Sequence, residues 1–358
     1  MVRRCKRCVL PETYPGIRFN NDGVCNYCLN HKPVMYEGES ALLNILNDNR
    51  NKGQDYDCIV PVSGGKDSAF VLYQVKEVYR MRTLAFHYDS GFVSRQAKEN
   101  LRNIIKTLNV DFVIVKSSRD TQRHCLSNSI RTWTRNPSAE SLPTLCYGCK
   151  NGYLGGAYRI AKEKKIPLII VGDALIENAQ QMRRQTALMP HRLVIISLAL
   201  KFLKNPFYLN PHYIHDYIYA QMEFPLPKNE NDGPIRILHF YNFVKYDQQK
   251  ILSTVEKELN WKKMEGFVST WRFDCEIHAV LEYMLEKRFG FTEKDEFYSE
   301  AIRNGEMSRE EALERLRLER DPKVISRRRA IMHKVFDKLN LSEKERYIIL
   351  NCKSLIDS

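Results

Sequence analysis

The 358-residue sequence has no apolar run long enough to cross a bilayer. Its longest apolar stretches are residues 166–171 (IPLIIV) and 193–200 (LVIISLAL), whereas a membrane-spanning helix needs about 20 apolar residues. The opening segment MVRRCKRCVLPETY also lacks the apolar core of a secretion signal. We therefore expect a soluble, cytoplasmic protein without a membrane partner.

Low-complexity segments are absent as well, and the only internal repetition is a pair of Cys-x-x-Cys units near the N-terminus. Without an export signal, cysteine pairs at this spacing are more typical of metal or redox sites than of disulfides. The net charge of +13 favours an anionic partner such as nucleic acid, a nucleotide or a nucleotide-sugar. A solvated basic surface would account for the same charge.

The middle of the chain alternates strands and helices. Strands are predicted at CIVPVS, TLAFHYD, DFVIVKS and PLIIVGD, and helices at 67–80, 94–108 and 153–164. Because the strands are continuous apolar runs, they indicate a parallel sheet covered on both faces. Residues 57 to about 176 thus predict a doubly wound α/β unit, residues 177–245 irregular structure with short helices, and the tail from about 247 a helical region.

A glycine-rich loop, SGGKDS, follows the first predicted strand and precedes a helix. It is neither a Walker A sequence nor GxGxxG, because Gly64 and Gly65 are adjacent. Glycines let backbone N–H groups approach an anion, and the helix presents its positive N-terminus. Ser63 and Ser68 add hydroxyl donors and Lys66 adds a charge. Asp67 would repel a bare phosphate, which suggests a metal ion or a capping role.

This loop resembles the signature of the PP-loop (N-type) ATP pyrophosphatases. The resemblance implies a doubly wound, HUP-like sheet, ATP and Mg²⁺ as cofactors, and adenylation of a substrate oxygen with release of pyrophosphate. The catalytic residues it implies are Lys66, Asp67 and Asp173, with Asp67 or Asp173 as the metal ligand. The nucleotide-binding residues it implies are Ser63, Gly64, Gly65, Lys66, Asp67, Ser68, His87, Asp89, Gly172 and Glu177.

Two cysteine pairs near the N-terminus have the spacing of a zinc ribbon or knuckle. Cys5-x2-Cys8 and Cys25-x2-Cys28 are sixteen residues apart, and turn residues lie beside each pair. We expect a structural Zn²⁺ that fills all four positions and takes no part in catalysis. A buried thiol cluster or a redox pair is the alternative.

A further Cys-x-x-Cys, formed by Cys146 and Cys149, lies inside the predicted α/β unit, and Cys275 follows much later. Two interpretations remain open. The three thiolates would ligate a [4Fe–4S] cluster with one iron left open for sulfide, or they are structural or near the substrate without iron. The stretch WRFDC also places Arg272 beside Cys275, and Arg272 is a hypothetical ligand for a substrate phosphate.

A wider set of motifs resembles the N-acetyl sugar amidotransferases of bacterial surface-polysaccharide biosynthesis. It consists, in order, of CKRCVLPETYPGIRFNNDGVCNYC, YDCIVPVSGGKDS, CYGCKNG, IPLIIVGD and IRNGEMSREEAL. The resemblance implies ATP-dependent conversion of an acetamido group on a nucleotide-linked sugar into an acetamidino group. It also implies a separate glutaminase subunit as the ammonia source, and the chain has no glutaminase-like motif of its own. The domains are then a four-cysteine module (1–36), a PP-loop α/β domain with a substrate-side insertion (37–245) and a helical C-terminal region (246–358).

The chain also resembles PP-loop sulfurtransferases, which act on tRNA or on small molecules. These share an N-terminal cysteine zinc site, the SGGKDS loop and a three-cysteine iron–sulfur site. The net charge and the basic segment 327–334 (RRRAIMHK) would suit a tRNA backbone. A second cysteine ribbon near the C-terminus, usual in one thiolase branch, is missing. A nucleotide-binding regulatory module is a third, non-enzyme interpretation.

Overall fold

A computed structural model describes residues 2–117, 120–135, 146, 149, 151–173, 222–224 and 234–351. Within them one sheet contains the strands β1 (Cys58–Pro61), β2 (Thr83–Asp89), β3 (Asp111–Lys116), β4 (Leu168–Val171) and β5 (Arg236–His239). All neighbouring strands are parallel, in the order β3-β2-β1-β4-β5. The direction of strand addition reverses between β1 and β4, which is where doubly wound sheets bind ligands. The predicted α/β fold is confirmed.

Helices cover both faces of the sheet and make up most of the C-terminal region. They are α1 (Asn26–Leu29), α2 (Glu39–Asn49), α3 (Lys66–Tyr73), α4 (Arg95–Leu108), α5 (Thr121–Arg135), α6 (Gly156–Glu163), α7 (Gln248–Leu259), α8 (Ile277–Phe289), α9 (Glu293–Arg303), α10 (Arg309–Glu319), α11 (Pro322–Lys338) and α12 (Glu343–Leu350). None of the helices in the described part of the chain is long and apolar enough to span a membrane.

Burial along the strands explains why the sequence predicted most of the sheet. Every residue of β1 and β4 is buried, as is every residue of β2 except the last. Such central strands appear in a sequence as continuous apolar runs. The edge strand β3 is mostly half-buried or exposed.

The strand β5 corrects the prediction for residues 177–245, which gave irregular structure there. It pairs with β4 along its whole length, from Leu168 opposite Arg236 to Val171 opposite His239. The strand has four residues and leads directly into a short 3-10 helix, Phe240–Asn242. Only its two middle residues, Ile237 and Leu238, are apolar and buried, so the segment lacks the continuous apolar run that marked the other strands in the sequence. Residues 174–221 and 225–233 of the same stretch lie outside the described residues.

The four-cysteine module packs against the C-terminal helices α9 and α10. The Val9 amide donates to the Ser299 hydroxyl at 3.2 Å, and Arg4 forms an ion pair with the buried Asp295. Arg309 donates through Nε to the carbonyl oxygens of Cys5 and Cys8, at 3.2 and 3.1 Å. These contacts fix the module to the opposite end of the chain.

A buried network of charges joins helices α8 to α11. Lys294 pairs with Glu282 at 3.1 Å and with Glu319 at 2.7 Å, and Arg328 pairs with the same two carboxylates. Burial alone would raise the pKa of Glu282, but Lys294 and Arg328 hold this pKa at about 2. The carboxylate is therefore ionised at neutral pH, and the four charges balance inside the helical region.

The glycine loop approaches α4 so closely that Gly64 has no room for a side chain. Its φ of +86° is left-handed, and a Cβ there would lie 2.3 Å from the Ala97 carbonyl oxygen. The Gly64 carbonyl accepts hydrogen bonds from Trp261 Nε1 at 3.0 Å and from Asn100 Nδ2 at 3.4 Å. The loop is thus clamped between α4 and the segment that follows α7.

Replacing Gly64 with alanine should lower the free energy of unfolding by about 3 kcal/mol or more, because overpacking adds to left-handed strain. The matched control is Gly305→Ala, where φ is +73° but nothing lies within 4 Å of the added Cβ. That control should lose about 1 kcal/mol, from strain alone. Urea unfolding of both variants measures the difference, and equal losses would show that the contact with Ala97 is not tight.

Candidate active site

A cavity of about 290 Å³ opens at the carboxyl ends of β1, β2 and β4. Its described lining from the α/β unit includes Ser63, Gly65, Lys66, Asp67, Ser68, His87, Tyr88, Gly172 and Asp173. The opposite wall is formed by Thr270, Trp271, Arg272, Asp274 and Cys275. The structure thus gathers most of the nucleotide-site residues predicted from the sequence at one cavity, where their roles remain predictions.

Internal hydrogen bonds shape the loop around the cavity. Ser63 Oγ accepts from the Gly65 amide at 3.2 Å, and Ser68 Oγ accepts from the Ser63 amide at 3.2 Å. The two hydroxyl oxygens lie 3.3 Å apart. Helix α3 begins at Lys66, so its first-turn amides lie at this end of the cavity and suit an anion.

The charge of Lys66 is already balanced within the protein. Its side chain is 1% exposed, and Nζ lies 2.7 and 2.6 Å from the two carboxylate oxygens of Asp67. Lys66 Nζ also donates to the Tyr246 hydroxyl at 2.9 Å, which donates in turn to Asp67 at 3.0 Å. Asp67 therefore holds Lys66 in place. The groups of the loop that remain to bind an anion are mainly its backbone amides and hydroxyls.

His87 is a neutral acceptor at the cavity. Its Nδ1 lies 2.7 Å from the Val62 carbonyl oxygen, which can only accept, so Nδ1 carries the proton. Burial lowers the pKa of His87. The ring is therefore uncharged at neutral pH and leaves Nε2 as an acceptor, a chemistry that suits a hydroxyl or amino group of a nucleotide.

Three predicted nucleotide residues are not placed at the cavity. Asp89 accepts from the Gly91 amide at 2.9 Å and lies 3.4 Å from Lys116, and it does not contribute to the cavity lining. Gly64 packs against α4 and does not contribute to the cavity lining. Glu177 lies outside the described residues. Asp173 does line the cavity and accepts from the Tyr153 hydroxyl at 2.6 Å.

The opposite wall is a non-helical segment, residues 269–276, held at both ends. Here the Ser94 amide donates to the Asp274 carbonyl at 2.9 Å, and the Glu276 amide donates to the Phe92 carbonyl at 2.8 Å. At the other end the Ser269 amide donates to Glu319 Oε1 at 2.9 Å. The wall is therefore tied both to the β2–α4 connection and to the buried charge network.

Cys146, Cys149 and Cys275 all line the cavity, although more than a hundred residues separate the last from the first two. Burial, with the neighbouring Cys275 and Cys146, raises the pKa of Cys149 well above its usual value. Burial and Cys146 raise the pKa of Cys275 to about 12. Gln122 Nε2 donates to Cys149 Sγ at 3.0 Å. The structure thus brings together the three cysteines that the sequence paired only by hypothesis, and it leaves both interpretations of them open.

The sulfurs of Cys5, Cys8, Cys25 and Cys28 all lie within 4.8 Å of one another and are buried. The distances from Cys5 to Cys28 and from Cys8 to Cys25 are 3.9 and 3.7 Å. Four thiolates at about 2.3 Å from a central ion would be about 3.8 Å apart. Hydrogen bonds with Cys25 and Cys28 lower the pKa of Cys5, whereas those with Cys25 and Cys5 raise the pKa of Cys28. The sulfur distances fit a cation that would hold all four cysteines as thiolates.

Two residues at the site had no signal in the sequence. Tyr246 reaches Asp67 and Lys66 from about 180 positions away, and Trp261 clamps Gly64 from a similar distance. Neither belongs to a recognisable motif. Only the folded chain shows that they support the loop.

Two family models match the chain. Residues 57–199 match the model described as queuosine biosynthesis protein QueC, and residues 261–353 match the C-terminal domain described as LPS biosynthesis protein WbpG-like. The first range contains the SGGKDS loop, and the second contains the wall segment and helices α8 to α12. The chain thus combines a PP-loop domain with a WbpG-like C-terminal domain. This confirms the resemblance to PP-loop proteins and to a family of surface-polysaccharide biosynthesis.

Individual proteins show more distant likeness. An uncharacterized protein of Methanocaldococcus jannaschii is 23% identical over 326 residues, which are 90% of this chain and 96% of that protein. Among solved structures, the U34-tRNA thiolase NcsA of Methanococcus maripaludis, with its [4Fe-4S] cluster, is 13% identical with a TM-score of 0.35, over 96% of this chain and 90% of that one. An NMN synthetase from Francisella tularensis is 13% identical with a TM-score of 0.37, over 85% and 94% of the two chains.

The cysteine cluster yields a direct prediction. Cys25→Ser should reduce the metal bound per chain and lower the melting temperature, because a structural metal site contributes its binding energy to folding. The control is Cys58→Ser, a buried cysteine of β1 near Thr83 that lies outside the cluster. Elemental analysis and thermal unfolding measure both effects. Metal content that is unchanged in Cys25→Ser would contradict the assignment.

Proposed function

We propose that the protein is an ATP-dependent N-acetyl sugar amidotransferase, which converts the acetamido group of a nucleotide-linked sugar into an acetamidino group. The observation that carries the proposal is the composition of the cavity. One wall comes from the range that matches a PP-loop domain, and the other from the range that matches a lipopolysaccharide biosynthesis domain. A site between these walls is suited to bring ATP and a sugar acceptor into contact.

The first step is adenylation of the acceptor. ATP binds with its phosphates at the loop of residues 63–68, where backbone amides and the Ser63 and Ser68 hydroxyls donate to them. The acetamido oxygen attacks the α-phosphorus, and the bond to pyrophosphate breaks. Asp67 or Asp173 would hold a Mg²⁺ ion, which would neutralise phosphate charge. The loop contributes mainly by positioning and by electrostatic stabilisation of the phosphates.

The second step replaces oxygen with nitrogen. Ammonia adds to the activated carbon, the C–O bond breaks, and AMP leaves with the former acetamido oxygen. One proton of the ammonia is released to solvent. We propose that a separate glutaminase subunit supplies the ammonia and that the reaction takes place in the cytoplasm, where nucleotide-sugars are available.

The four-cysteine module has a structural role in this proposal. The sulfur separations of 3.7 and 3.9 Å fit one small ion better than a cluster, whose irons would hold their cysteine sulfurs further apart. We therefore assign Zn²⁺ to Cys5, Cys8, Cys25 and Cys28. Four protein ligands leave no open position for substrate.

A second candidate is a PP-loop sulfurtransferase, and the convergence of Cys146, Cys149 and Cys275 on the cavity favours it. These three thiols would hold a [4Fe–4S] cluster, which would supply sulfide in place of ammonia. The acceptor would then be tRNA or a small molecule. The exposed basic residues of α11, such as Arg327, Arg329 and Lys334, would suit a tRNA backbone.

The amidotransferase proposal predicts that the protein releases pyrophosphate and AMP and forms an amidine when it is given ATP, an ammonium salt and a nucleotide-linked N-acetyl sugar. Asp67→Asn should reduce this turnover by about 100-fold or more, because the loop loses the carboxylate that holds Lys66. The control is Asp337→Asn, which changes an aspartate that is 68% exposed and paired with Arg346. Mass spectrometry of the sugar and a pyrophosphate assay provide the readouts. Normal turnover in Asp67→Asn would exclude the loop assignment.

Metal content separates the two candidates. Protein purified without oxygen should contain about one Zn²⁺ per chain and no iron, and Cys275→Ala should still form amidine. If instead about four irons and four sulfides are present, and Cys275→Ala loses them, sulfur transfer becomes the function.

A further inference from the structure

The cavity has a second basic group, Arg272, on the wall that faces the phosphate loop. Its side chain is 25% exposed and contributes to the cavity lining. Asp274 belongs to the same wall, two residues after Arg272. Its Oδ2 atom lies 3.4 Å from the position that a Cβ on Gly65 would occupy, so the wall and the loop face each other across a short gap. An anion held by Arg272 would therefore lie opposite the anion held by the loop.

A stack of rings fixes the position of Arg272. Its guanidinium lies over the Trp271 ring, 5.1 Å from the centroid, and Trp271 stacks on Phe297 with centroids 5.1 Å apart and an interplanar angle of 20°. Both rings are buried. Arg272 itself has a φ of +49°, a left-handed conformation that costs about 1–2 kcal/mol for a residue with a side chain. Backbone strain of this kind is concentrated at functional sites.

Glu293 forms an ion pair with Arg272 and lies closer to His278. Glu293 Oε2 lies 2.8 Å from His278 Nε2 but 3.8 Å from the guanidinium NH1, beyond hydrogen-bond distance for that pair. Glu293 and His278 are both buried behind the wall. The ion pair with Glu293 therefore helps to orient the guanidinium from behind the wall.

We propose that Arg272 binds the phosphate of the acceptor, and that the loop and Arg272 hold ATP and acceptor from opposite walls. The inference rests on the proposed function and deepens it, because it names the residue that recognises the phosphate of the nucleotide-linked acceptor. A planar guanidinium recognises phosphate oxygens in pairs and is the side chain of choice for such groups. With the two anions fixed on opposite walls, the sugar between them is brought to the α-phosphorus of ATP.

Binding measurements test the proposal without turnover. Calorimetry uses protein saturated with α,β-methylene-ATP, so that the loop is filled, and titrates UDP-N-acetylglucosamine and, separately, inorganic pyrophosphate. Arg272→Gln should weaken binding of both probes by 10-fold or more and leave the affinity for the ATP analogue within about twofold. The control is Arg315→Gln, because Arg315 also lies over a ring, that of Tyr298, and also pairs with a carboxylate, that of Glu311, but does not line the cavity.

The outcomes separate the inference from the function. Equal binding of the probes by wild type and Arg272→Gln, or a loss confined to the ATP analogue, would overturn the assignment of Arg272 and leave the amidotransferase proposal intact. A loss of thermal stability without a change in probe affinity would show that Arg272 is only a structural partner of Trp271 and Glu293. Arg272-dependent binding of pyrophosphate, with no binding of the UDP-sugar by wild type, would support the anion site and remove the nucleotide-sugar acceptor. Binding of neither probe would overturn the inference.

Discussion

The cavity depends on one buried carboxylate, that of Glu319. This side chain connects the wall that faces the SGGKDS loop to the helical region behind that wall. Its Oε1 accepts from the Ser269 amide, and its Oε2 binds Lys294 and Arg328. A buried charge is stable only while its partners remain, and losing one partner costs about 3–5 kcal/mol. The wall segment is therefore held by the same network that holds α8 to α11 together. A change in the packing of those helices would be transmitted to the cavity.

The sequence predicted the parts of the fold that are determined locally. The bounds of β2 agree to the residue, because a buried parallel strand is a continuous apolar run. The strand β5 was missed, since only two of its four residues are apolar and its conformation depends on pairing with β4. The wall segment was predicted only in part, because the stretch WRFDC suggested Arg272 as a phosphate ligand. The hydrogen bonds that hold the segment go to Phe92 and Ser94, far away in the chain, and no local signal predicted them.

The candidate site likewise has features that the sequence predicted and features that only the structure shows. The SGGKDS loop and the two N-terminal cysteine pairs are short motifs whose chemistry can be read directly, and the structure brings each set together. The electrostatic state of the loop could not be read. The sequence suggested that Lys66 offers a free charge, whereas the structure pairs it directly with Asp67. Tyr246, which no motif connects to the loop, binds both residues of this pair. Spacing along the chain identifies candidate ligands, but the charge balance around them depends on contacts that only folding makes.

That charge balance has a consequence for how ATP binds. Among the described residues that line the cavity, Asp67, Asp173 and Asp274 are acidic, whereas Lys66 and Arg272 are basic. His87 adds no charge, because burial lowers its pKa. A polyanion such as ATP would meet a lining with more carboxylates than cations, and like charges at these distances repel. The loop amides and hydroxyls can orient phosphates, but they do not remove this excess of negative charge. A divalent cation bound by Asp67 or Asp173 would remove it, so the same carboxylates that repel bare ATP would favour ATP in its metal-bound form.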